Sequence, residues 1–223
     1  MKATFQLAKR MGNEQLSLNA KLVACGGWSG RDGAAVMKHI EELAKLGVAR
    51  PSNVPIMIPV SRYLLTQEKN IEIQAQQNSG EVEYVILLTS DAMYVTVGSD
   101  HTDRELETFN VEKSKQACPK IIAEQAWLYE DVRDHWDEII LRSYATEGGE
   151  RVLYQEARLD AIIDPDTLLA LEGGKYRREG AVVFSGTIPT MRGIIYADRF
   201  EMEMQDPKLS RSISHGYSIN VLS

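Results

Sequence analysis

The sequence contains no apolar run long enough to cross a membrane. Its longest apolar stretch, around Val82–Leu88, has the length of a β-strand and falls well short of the roughly 20 residues that span a bilayer. Residues 1–17 contain no continuous apolar segment of the kind found in signal peptides. These absences predict a protein that neither spans a membrane nor is exported.

The sequence is also poor in cysteine. Cys25 and Cys118 are the 2 cysteines among 223 residues, which is too few for a disulfide framework. Free cysteines are among the most frequently buried residues, so we expect both to be small buried groups in a reducing compartment. The sequence therefore predicts a cytoplasmic protein.

An excess of positive charge is missing as well. The formal net charge is −7, and the Lys and Arg residues are scattered, with Arg177-Arg178 only a pair. Nucleic-acid binding needs a basic stripe that follows the phosphates, so we expect no nucleic-acid partner. The sequence has no Gly-x-Ser-x-Gly elbow, phosphate-binding loop or dinucleotide fingerprint, which argues against nucleophilic serine hydrolysis.

Strand patterns outnumber helix patterns along the chain. An amphipathic helix is predicted over Ala34–Leu46, where Val36, Ile40 and Leu43 recur at helical spacing. Further helices are predicted at Leu128–Leu141 and Pro165–Leu171, and strands at Ile71–Gln76, Glu81–Leu88, Met93–Gly98, Arg151–Arg158, Ala181–Phe184, Phe200–Met204 and Tyr217–Leu222. The sum predicts one domain over residues 1–223, of the α+β class and dominated by strands.

Two glutamates stand two residues apart in one predicted strand. Side chains alternate along a strand, so Glu81 and Glu83 point to the same face. Like charges side by side repel unless they are solvated or bridged by a cation, and hard divalent ions prefer oxygen ligands. Asp100 follows the next strand, a common place for a ligand on a rigid scaffold. The alternatives are a solvated strand face for the glutamates and a turn or capping role for Asp100.

These segments resemble the fumarylacetoacetate hydrolase superfamily. Its members have a Glu-x-Glu strand and then a strand that ends in Asp-x-(Ser/Thr)-x-Arg-(Asp/Glu), which resemble Glu81-Val82-Glu83 and Asp100–Glu105 here. Its later landmarks, a Lys-Ser pair before Cys-Pro and a Thr-Gly-Thr-Pro strand end, resemble Lys113-Ser114, Cys118-Pro119 and Ser185–Pro189, the last with Ser for the first Thr and with Ile188 inserted. The order and spacing of the motifs match along nearly the whole chain.

The resemblance implies a fold and a metal site. Members of the superfamily fold as a mixed β-sandwich roll and usually dimerise, so we expect this fold and a homodimer, with residues 1–55 as an N-terminal arm that carries a lid helix. Members bind one Mg²⁺, Mn²⁺ or Ca²⁺ through the two glutamates and the aspartate. The resemblance therefore implies that the ligands are Glu81, Glu83 and Asp100.

The resemblance also implies the substrate contacts. Lys113 would contact the oxo or carboxylate oxygens of a small 2-oxo acid, and Thr187 together with the backbone N–H of Gly186 would hold its carboxylate. Arg104 is predicted with Gly186 and Thr187 among the substrate-binding residues, where it would also support the metal site from outside the ligand set.

A general base is expected on the lid helix. Many members of the superfamily have a His-x-x-Glu pair there, and this sequence has His39 and Glu42, which share one face of the predicted helix. Glu42 would orient His39, and His39 would activate a water. An ordinary surface pair is the alternative reading, and His101, next to Asp100, is a rival base.

The activity implied by the resemblance is hydrolysis of a C–C bond in an acylpyruvate-like 2-oxo acid, through an enolate that the metal stabilises. The same chemistry supports a hydratase, a decarboxylase or an isomerase. Two alternatives from other classes stay open: a non-catalytic protein that binds 2-oxo acids, and a protein–protein module with a solvated acidic face. The sequence decides neither the substrate nor the preferred cation.

Overall fold

The computed structural model of the protein describes residues 2–8, 13–45, 50, 51 and 53–222. The side chains of residues 8, 13, 14, 39, 42, 43 and 45 lie outside this description. Most of the regular structure is β-strand, as predicted.

Strands run through the whole chain, and helices interrupt them. The strands are β1 Lys2–Ala8, β2 Asn13–Asn19, β3 Leu22–Gly27, β4 Ile56–Val60, β5 Leu65–Thr66, β6 Asn70–Ile73, β7 Asn78–Ser79, β8 Val82–Leu88, β9 Met93–Asp100, β10 Thr102–Asp103, β11 Lys120–Ile122, β12 Gln125–Leu128, β13 Ile140–Glu147, β14 Glu150–Arg158, β15 Ala181–Phe184, β16 Arg199–Asp206 and β17 Arg211–Val221. The α-helices are α1 Gly33–Lys45, α2 Arg104–Glu107, α3 Val111–Ala117 and α4 Pro165–Gly174, and 3-10 turns occur at Arg62–Leu64, Tyr129–Asp131, Arg133–Glu138 and Leu159–Ala161.

The strands form two large sheets. The 10-stranded sheet has the order β2-β1-β12-β9-β8-β15-β3-β4, with β11 pairing β9 and β5 pairing β11. The 5-stranded sheet has the order β14-β13-β16-β17-β6, and β10 and β7 form a small separate ladder. Parallel pairs, such as β15 with β3 and β17 with β6, occur beside antiparallel ones, so the sheets are mixed.

Two hydrophobic cores lie on opposite faces of strand β8. Tyr84 belongs to the larger core, which also contains Met202 of the 5-stranded sheet. Val85 belongs to the other core, together with Phe184 of β15. Every residue of β8 is buried, because this strand has apolar neighbours on both faces. The 5-stranded sheet thus packs on the larger sheet, and the expected β-dominated sandwich roll is confirmed.

The helix predicted over Leu128–Leu141 is wrong. The segment consists of two 3-10 turns between β12 and β13. Trp136 in the second turn is buried and packs edge-on against Tyr84 and Tyr129, with ring centroids 5.0 and 5.4 Å away. A 3-10 turn also brings residues three apart to one side, so short turns account for the apolar spacing that suggested a helix.

Helix α1 confirms the amphipathic helix predicted in this region, and its start is well defined. Asp32 Oδ1 accepts hydrogen bonds from the backbone N–H groups of Ala34 and Ala35, at 3.0 and 3.1 Å. Arg31, directly before it, donates two hydrogen bonds to the Asp137 carboxylate, both at 2.7 Å. These contacts fix the point at which α1 leaves the body of the fold.

Both cysteines are free and buried, as expected. Burial raises the pKa of the Cys25 thiol well above its usual value, so this thiol stays protonated and inert at neutral pH. Among the helices of the described residues, none has the length and apolar character needed to cross a membrane.

Candidate metal centre

Three carboxylates converge at one end of the β8–β9 pair. Glu83 lies opposite Gly98 in the ladder, Asp100 is the last residue of β9, and the Asp100 N–H donates to the Glu81 carbonyl at 3.1 Å. One carboxylate oxygen from each of Glu81, Glu83 and Asp100 lies within 4.8 Å of the others. We call these three residues the carboxylate cluster. Glu83 and Asp100 are fully buried, and the Glu81 side chain is 14 % exposed.

Gly98 keeps the strands around the cluster close together. A Cβ at Gly98 would lie 2.6 Å from Val85 Cγ2 and 2.7 Å from the Ile121 carbonyl oxygen. A larger residue would therefore push β9 away from β8 and β11. Because β11 carries Lys120, which contacts Asp100, the glycine helps to hold the charged groups at contact distance.

Two buried lysines and a largely buried arginine surround the carboxylate cluster. Lys115 Nζ lies 2.6 Å from Asp100 Oδ2 and 3.1 Å from Glu81 Oε2. Lys120 Nζ lies 2.9 Å from Asp100 Oδ1, and Arg104 Nη2 lies 3.0 Å from Glu81 Oε1. Within the part of the chain that the structure describes, Glu83 has no ion-pair partner. The cations thus offset the charges of Glu81 and Asp100, but none of them pairs with Glu83 among the described residues.

The pKa values of Asp100 and Glu81 follow these ion pairs. Burial by itself would raise the pKa of Asp100, but the ammonium groups of Lys115 and Lys120 hold it below its usual value. Burial also opposes ionisation of Glu81, and Arg104 with Lys115 lowers its pKa. Both carboxylates are therefore ionised at neutral pH.

Glu83 has no such compensation. Burial, and then the negative charge of Asp100, raise the pKa of Glu83 well above its usual value. Its Oε2 accepts the N–H of Gly186 at 2.8 Å, whereas its Oε1 is buried and has no hydrogen-bond partner among the described residues. A buried carboxylate oxygen without a partner is costly, and a shared cation would remove this cost.

The donor set suits a hard divalent cation. The cluster offers only carboxylate oxygens, which are the ligands that Mg²⁺, Mn²⁺ and Ca²⁺ prefer. The complete burial of Glu83 and Asp100 argues against the solvated acidic face that the sequence left open. The residues present therefore fit the metal that the family resemblance implies.

Helix α3 presents Lys115, and not Lys113, to the carboxylate cluster. Asn110 caps this helix through Oδ1, which accepts the Lys113 backbone N–H at 2.7 Å. The Lys113 side chain is exposed, whereas Lys115 is buried. Residues two apart on a helix lie about 200° apart around its axis, so the two lysines face opposite sides. Lys115, and not the expected Lys113, is therefore the lysine that lies against the carboxylate cluster.

The segment after β15 brings a backbone N–H to the cluster. Gly186 has a φ of 88°, a left-handed conformation that glycine adopts without strain, and its N–H is donated to Glu83. The Thr187 hydroxyl donates to the Val82 carbonyl at 2.8 Å and accepts from Gln155 Nε2 at 2.9 Å. The two groups expected to hold a substrate carboxylate are thus engaged with the protein itself.

Gln155 fastens this segment to β8. Its Nε2 also donates to the Ile188 carbonyl at 2.6 Å, and its Oε1 accepts from the Val82 N–H at 3.1 Å and from the Ser143 hydroxyl at 2.9 Å. The side-chain amide therefore uses both donors and both acceptor positions. Gln155 sets the position of the segment that carries Gly186.

Arg104 supports the cluster from the side. In addition to Glu81, its guanidinium contacts Ser79 Oγ at 2.7 Å and the Glu107 carboxylate at 2.8 Å. The side chain is only 10 % exposed. These contacts hold Glu81 in place, while direct contact of Arg104 with a substrate stays a prediction.

His101 is engaged on both sides of its ring. Nε2 lies 2.7 Å from Asn78 Oδ1, and Nδ1 lies 2.9 Å from the Tyr217 hydroxyl. The Asn78 amide nitrogen donates to two backbone carbonyls, so its oxygen accepts and the His101 proton is assigned to Nε2. Burial lowers the pKa of His101 to about 3. The ring is neutral and fully bonded, which argues against its role as the rival base.

The expected base pair lies on α1. His39 and Glu42 are both within Gly33–Lys45, but their side chains lie outside the described residues. Their catalytic role stays a prediction.

Sequence reasoning missed Lys115 and Lys120. The spacing of the sequence does indicate that Lys115 faces inward. Half-buried or buried residues recur at intervals of three and four on this side of α3, namely Val111, Ser114, Lys115 and Cys118. A lysine on the inward face of a short helix needs a buried anion, and Asp100 is that anion. Lys120 opens an apolar strand, where a similar argument applies.

One protein-family model matches most of the chain. A family model described as "Protein of unknown function (DUF2848)" matches residues 26–217. No curated protein matches the sequence at a significant level.

Several solved enzymes share the fold. A fumarylpyruvate hydrolase from Pseudomonas aeruginosa, solved with Mn²⁺ and pyruvate, has a TM-score of 0.63 and 15 % identity over 99 % of this chain and 97 % of its own. A 2-hydroxyhepta-2,4-diene-1,7-dioate isomerase from Mycobacterium marinum has a TM-score of 0.64 and 13 % identity over 97 % of this chain and 83 % of its own. A 2-keto-3-deoxyarabinonate dehydratase has a TM-score of 0.63 and 12 % identity, with coverages of 96 % and 79 %. At these identities the likeness shows the fold alone, and it confirms the expected fold of the fumarylacetoacetate hydrolase type.

Proposed function

This chain belongs to the DUF2848 family of proteins of unknown function, and we propose that it is a divalent-metal-dependent enzyme that hydrolyses a C–C bond in a small, acylpyruvate-like 2-oxo acid. The observation that carries the proposal is the carboxylate cluster, in which oxygens of Glu81, Glu83 and Asp100 lie within 4.8 Å of one another. The fold shared with a hydrolase solved with Mn²⁺ and pyruvate supports it.

The carboxylate cluster would hold Mg²⁺, Mn²⁺ or Ca²⁺. When bound, such an ion supplies Lewis-acid polarisation of a substrate carbonyl. Lys120 would remain a fixed counter-ion of Asp100, because its ammonium also donates to the carbonyls of His101 and Cys118 at 2.8 and 2.9 Å. These two carbonyls hold the ammonium in place beside Asp100.

Lys115 is the lysine that we assign to the substrate. Among the described residues its ammonium has two acceptors, Asp100 and Glu81, whereas an ammonium has three N–H donors. The third donor can bind an oxo or carboxylate oxygen beside the cluster, where it would stabilise negative charge that develops during the reaction. Lys115 would thus take the role that the resemblance gave to Lys113.

Proton transfer is assigned to His39 and Glu42. Residues three apart share a helix face, so Glu42 would orient the imidazole and His39 would accept a proton from the attacking water. Gly186 and Thr187 would border the substrate at the start of β8. In this proposal Arg104 keeps Glu81 in position and lies outside the reacting groups.

The type of reaction is a more detailed proposal than the metal site itself. An isomerase and a dehydratase share the fold as closely as the hydrolase does, with TM-scores of 0.64 and 0.63. Hydratase, decarboxylase and isomerase activities are therefore alternatives on the same site, and a non-catalytic 2-oxo acid binding protein is a further one. Product analysis separates them. A homodimer and a cytoplasmic location accompany the proposal as predictions.

The test uses the full chain after chelator treatment. Mg²⁺, Mn²⁺ and Ca²⁺ are added one at a time while the melting temperature is measured, and the products of an acylpyruvate and 2-oxo diacid panel are then identified. We expect at least one cation to raise the melting temperature and to be required for cleavage. Tight oxalate binding without turnover would indicate a binding protein, and no response to any cation would refute the metal site.

A further inference from the structure

A buried serine hydroxyl lies beside Gly186, whose N–H binds Glu83 of the carboxylate cluster. Ser29 is only 3 % exposed, and its Oγ has no hydrogen-bond partner among the described residues. Buried polar groups in native proteins are nearly always hydrogen-bonded, so an unpartnered hydroxyl needs an explanation.

The hydroxyl lies directly beside Gly186. A Cβ at Gly186 would be 2.2 Å from Ser29 Oγ, and the Gly186 N–H is the group that binds Glu83. Ser29 Oγ and Glu83 Oε1, both without a hydrogen-bond partner in the part of the chain that the structure describes, therefore belong to residues that contact the same glycine. This arrangement places the hydroxyl at the wall of the metal centre.

The backbone around Ser29 is held firmly. The Ser29 carbonyl accepts the Ile163 N–H at 3.0 Å, and the Arg31 N–H donates to the Ala161 carbonyl at 2.9 Å. Trp28, directly before Ser29, has a φ of 57°, which is rare for a residue with a side chain and persists where the surroundings enforce it. The hydroxyl is thus kept beside Gly186 by contacts that do not involve the hydroxyl itself.

The charge of the centre indicates what the hydroxyl would bind. The three carboxylates of the cluster face three cations, Lys115, Lys120 and Arg104. A bound divalent ion would make the sum positive and would favour an anion in the remaining space. A neutral hydroxyl donor adds direction to that attraction without adding charge.

We propose that Ser29 is a ligand-binding residue of this centre and that its hydroxyl donates a hydrogen bond to a carboxylate oxygen of the bound oxo acid. This inference rests on the proposed function, because it requires the metal centre to accept an anion.

The experiment compares Ser29→Ala with Thr96→Val. Thr96 is also buried, but its hydroxyl donates to the Gln125 carbonyl at 2.6 Å. For each variant we measure the melting temperature without metal, the affinity for Mn²⁺, and the affinity of the Mn²⁺-loaded protein for oxalate by calorimetry. Metal affinity and metal-free stability are readouts that do not depend on turnover.

The two variants should show opposite patterns. Ser29→Ala removes a hydroxyl without a partner, so its metal-free melting temperature should equal or exceed that of the wild type, its Mn²⁺ affinity should be unchanged, and its oxalate affinity should fall roughly tenfold. Thr96→Val breaks a buried hydrogen bond, so its melting temperature should fall while oxalate affinity stays within about twofold.

Two results would overturn the inference alone: oxalate affinity of Ser29→Ala within twofold of the wild type, or a clear fall in its metal-free melting temperature. Failure of the wild type itself to bind Mn²⁺, or to bind oxalate once loaded, would overturn the proposed function and this inference with it.

Discussion

Lys115 Nζ lies 2.6 Å from Asp100 Oδ2, and both side chains are buried. Each group offsets the charge of the other in a region from which water is largely excluded. The pair is therefore stabilising only as a pair, because removal of one partner leaves an uncompensated buried charge.

Replacement of Lys115 should damage both stability and turnover. We expect Lys115→Met to lower the free energy of unfolding by about 3 kcal/mol, because Asp100 loses one of its two counter-ions, and to lower kcat/KM roughly hundredfold or more. Urea unfolding and steady-state kinetics measure the two effects. Lys113→Met is the matched control on the exposed face of α3 and should stay within about 0.5 kcal/mol. Similar losses in both variants would contradict the assignment.

Glu83→Gln should separate metal binding from folding. The raised pKa of Glu83 favours its neutral form in the metal-free protein, and an amide can still accept the Gly186 N–H. We therefore expect a metal-free melting temperature within ~3 °C of the wild type and loss of the rise that Mn²⁺ causes. Glu72→Gln, on the exposed face of β6, should keep that rise. An undiminished Mn²⁺ effect in Glu83→Gln would exclude Glu83 as a ligand.

The buried His101 should make the metal-free protein sensitive to acid. The folded pKa is about 3 and the usual value is 6.5, so between these values the unfolded chain binds a proton that the folded protein does not. Stability is then lost as the pH falls below 6.5, by about 1.4 kcal/mol per pH unit from this residue.

Urea unfolding of the wild type and His101→Gln at pH 5, 6 and 7 tests this expectation. The variant should show a shallower dependence of unfolding free energy on pH, by roughly 1 kcal/mol per unit. Parallel pH dependences would show that His101 titrates normally and would restore it as a candidate base.

Loss of the Gln155 amide should disturb the segment that carries Gly186. Gln155→Leu leaves the Val82 N–H and the Ile188 carbonyl without their buried partner, so we expect about 3 kcal/mol of destabilisation and weaker Mn²⁺ binding. Gln6→Leu, on the exposed face of β1, should have little effect on either quantity. Thermal unfolding and Mn²⁺ titration of both variants provide the comparison, and intact metal affinity in a destabilised Gln155→Leu would show that Gln155 acts on stability alone.

The faces on which strand residues lie could be predicted from the sequence, because side chains alternate along a strand. The alternation around Ile71 and Ile73 appears as alternating exposure in β6, and the Glu81–Glu83 spacing places both acids on one face, together with Asp100. These predictions needed only the two-residue period of a strand.

The partners of these acids were harder to predict, because they depend on tertiary contacts. Lys113 and Lys115 differ by two positions on a short helix, and only the packing of α3 decides which of them is buried. Ser29 lies in a loop without periodicity, and its significance appears only when Gly186, far along the chain, is placed beside it. The order of motifs along the sequence does not indicate that Lys115 contacts the cluster or that Ser29 lies beside Gly186.

A line of hydrogen bonds joins the two layers of the sandwich at the carboxylate cluster. The Glu81 N–H donates to Ser99 Oγ, Ser99 contacts the Tyr217 hydroxyl, and Tyr217 contacts His101. Since Tyr217 belongs to the 5-stranded sheet, the two sheets cannot slide past each other without stripping partners from groups that adjoin a proposed ligand. If the cluster binds a cation, the affinity for that cation should therefore depend on how the two sheets are aligned. Damage to the 5-stranded sheet should weaken cation binding before it has other effects.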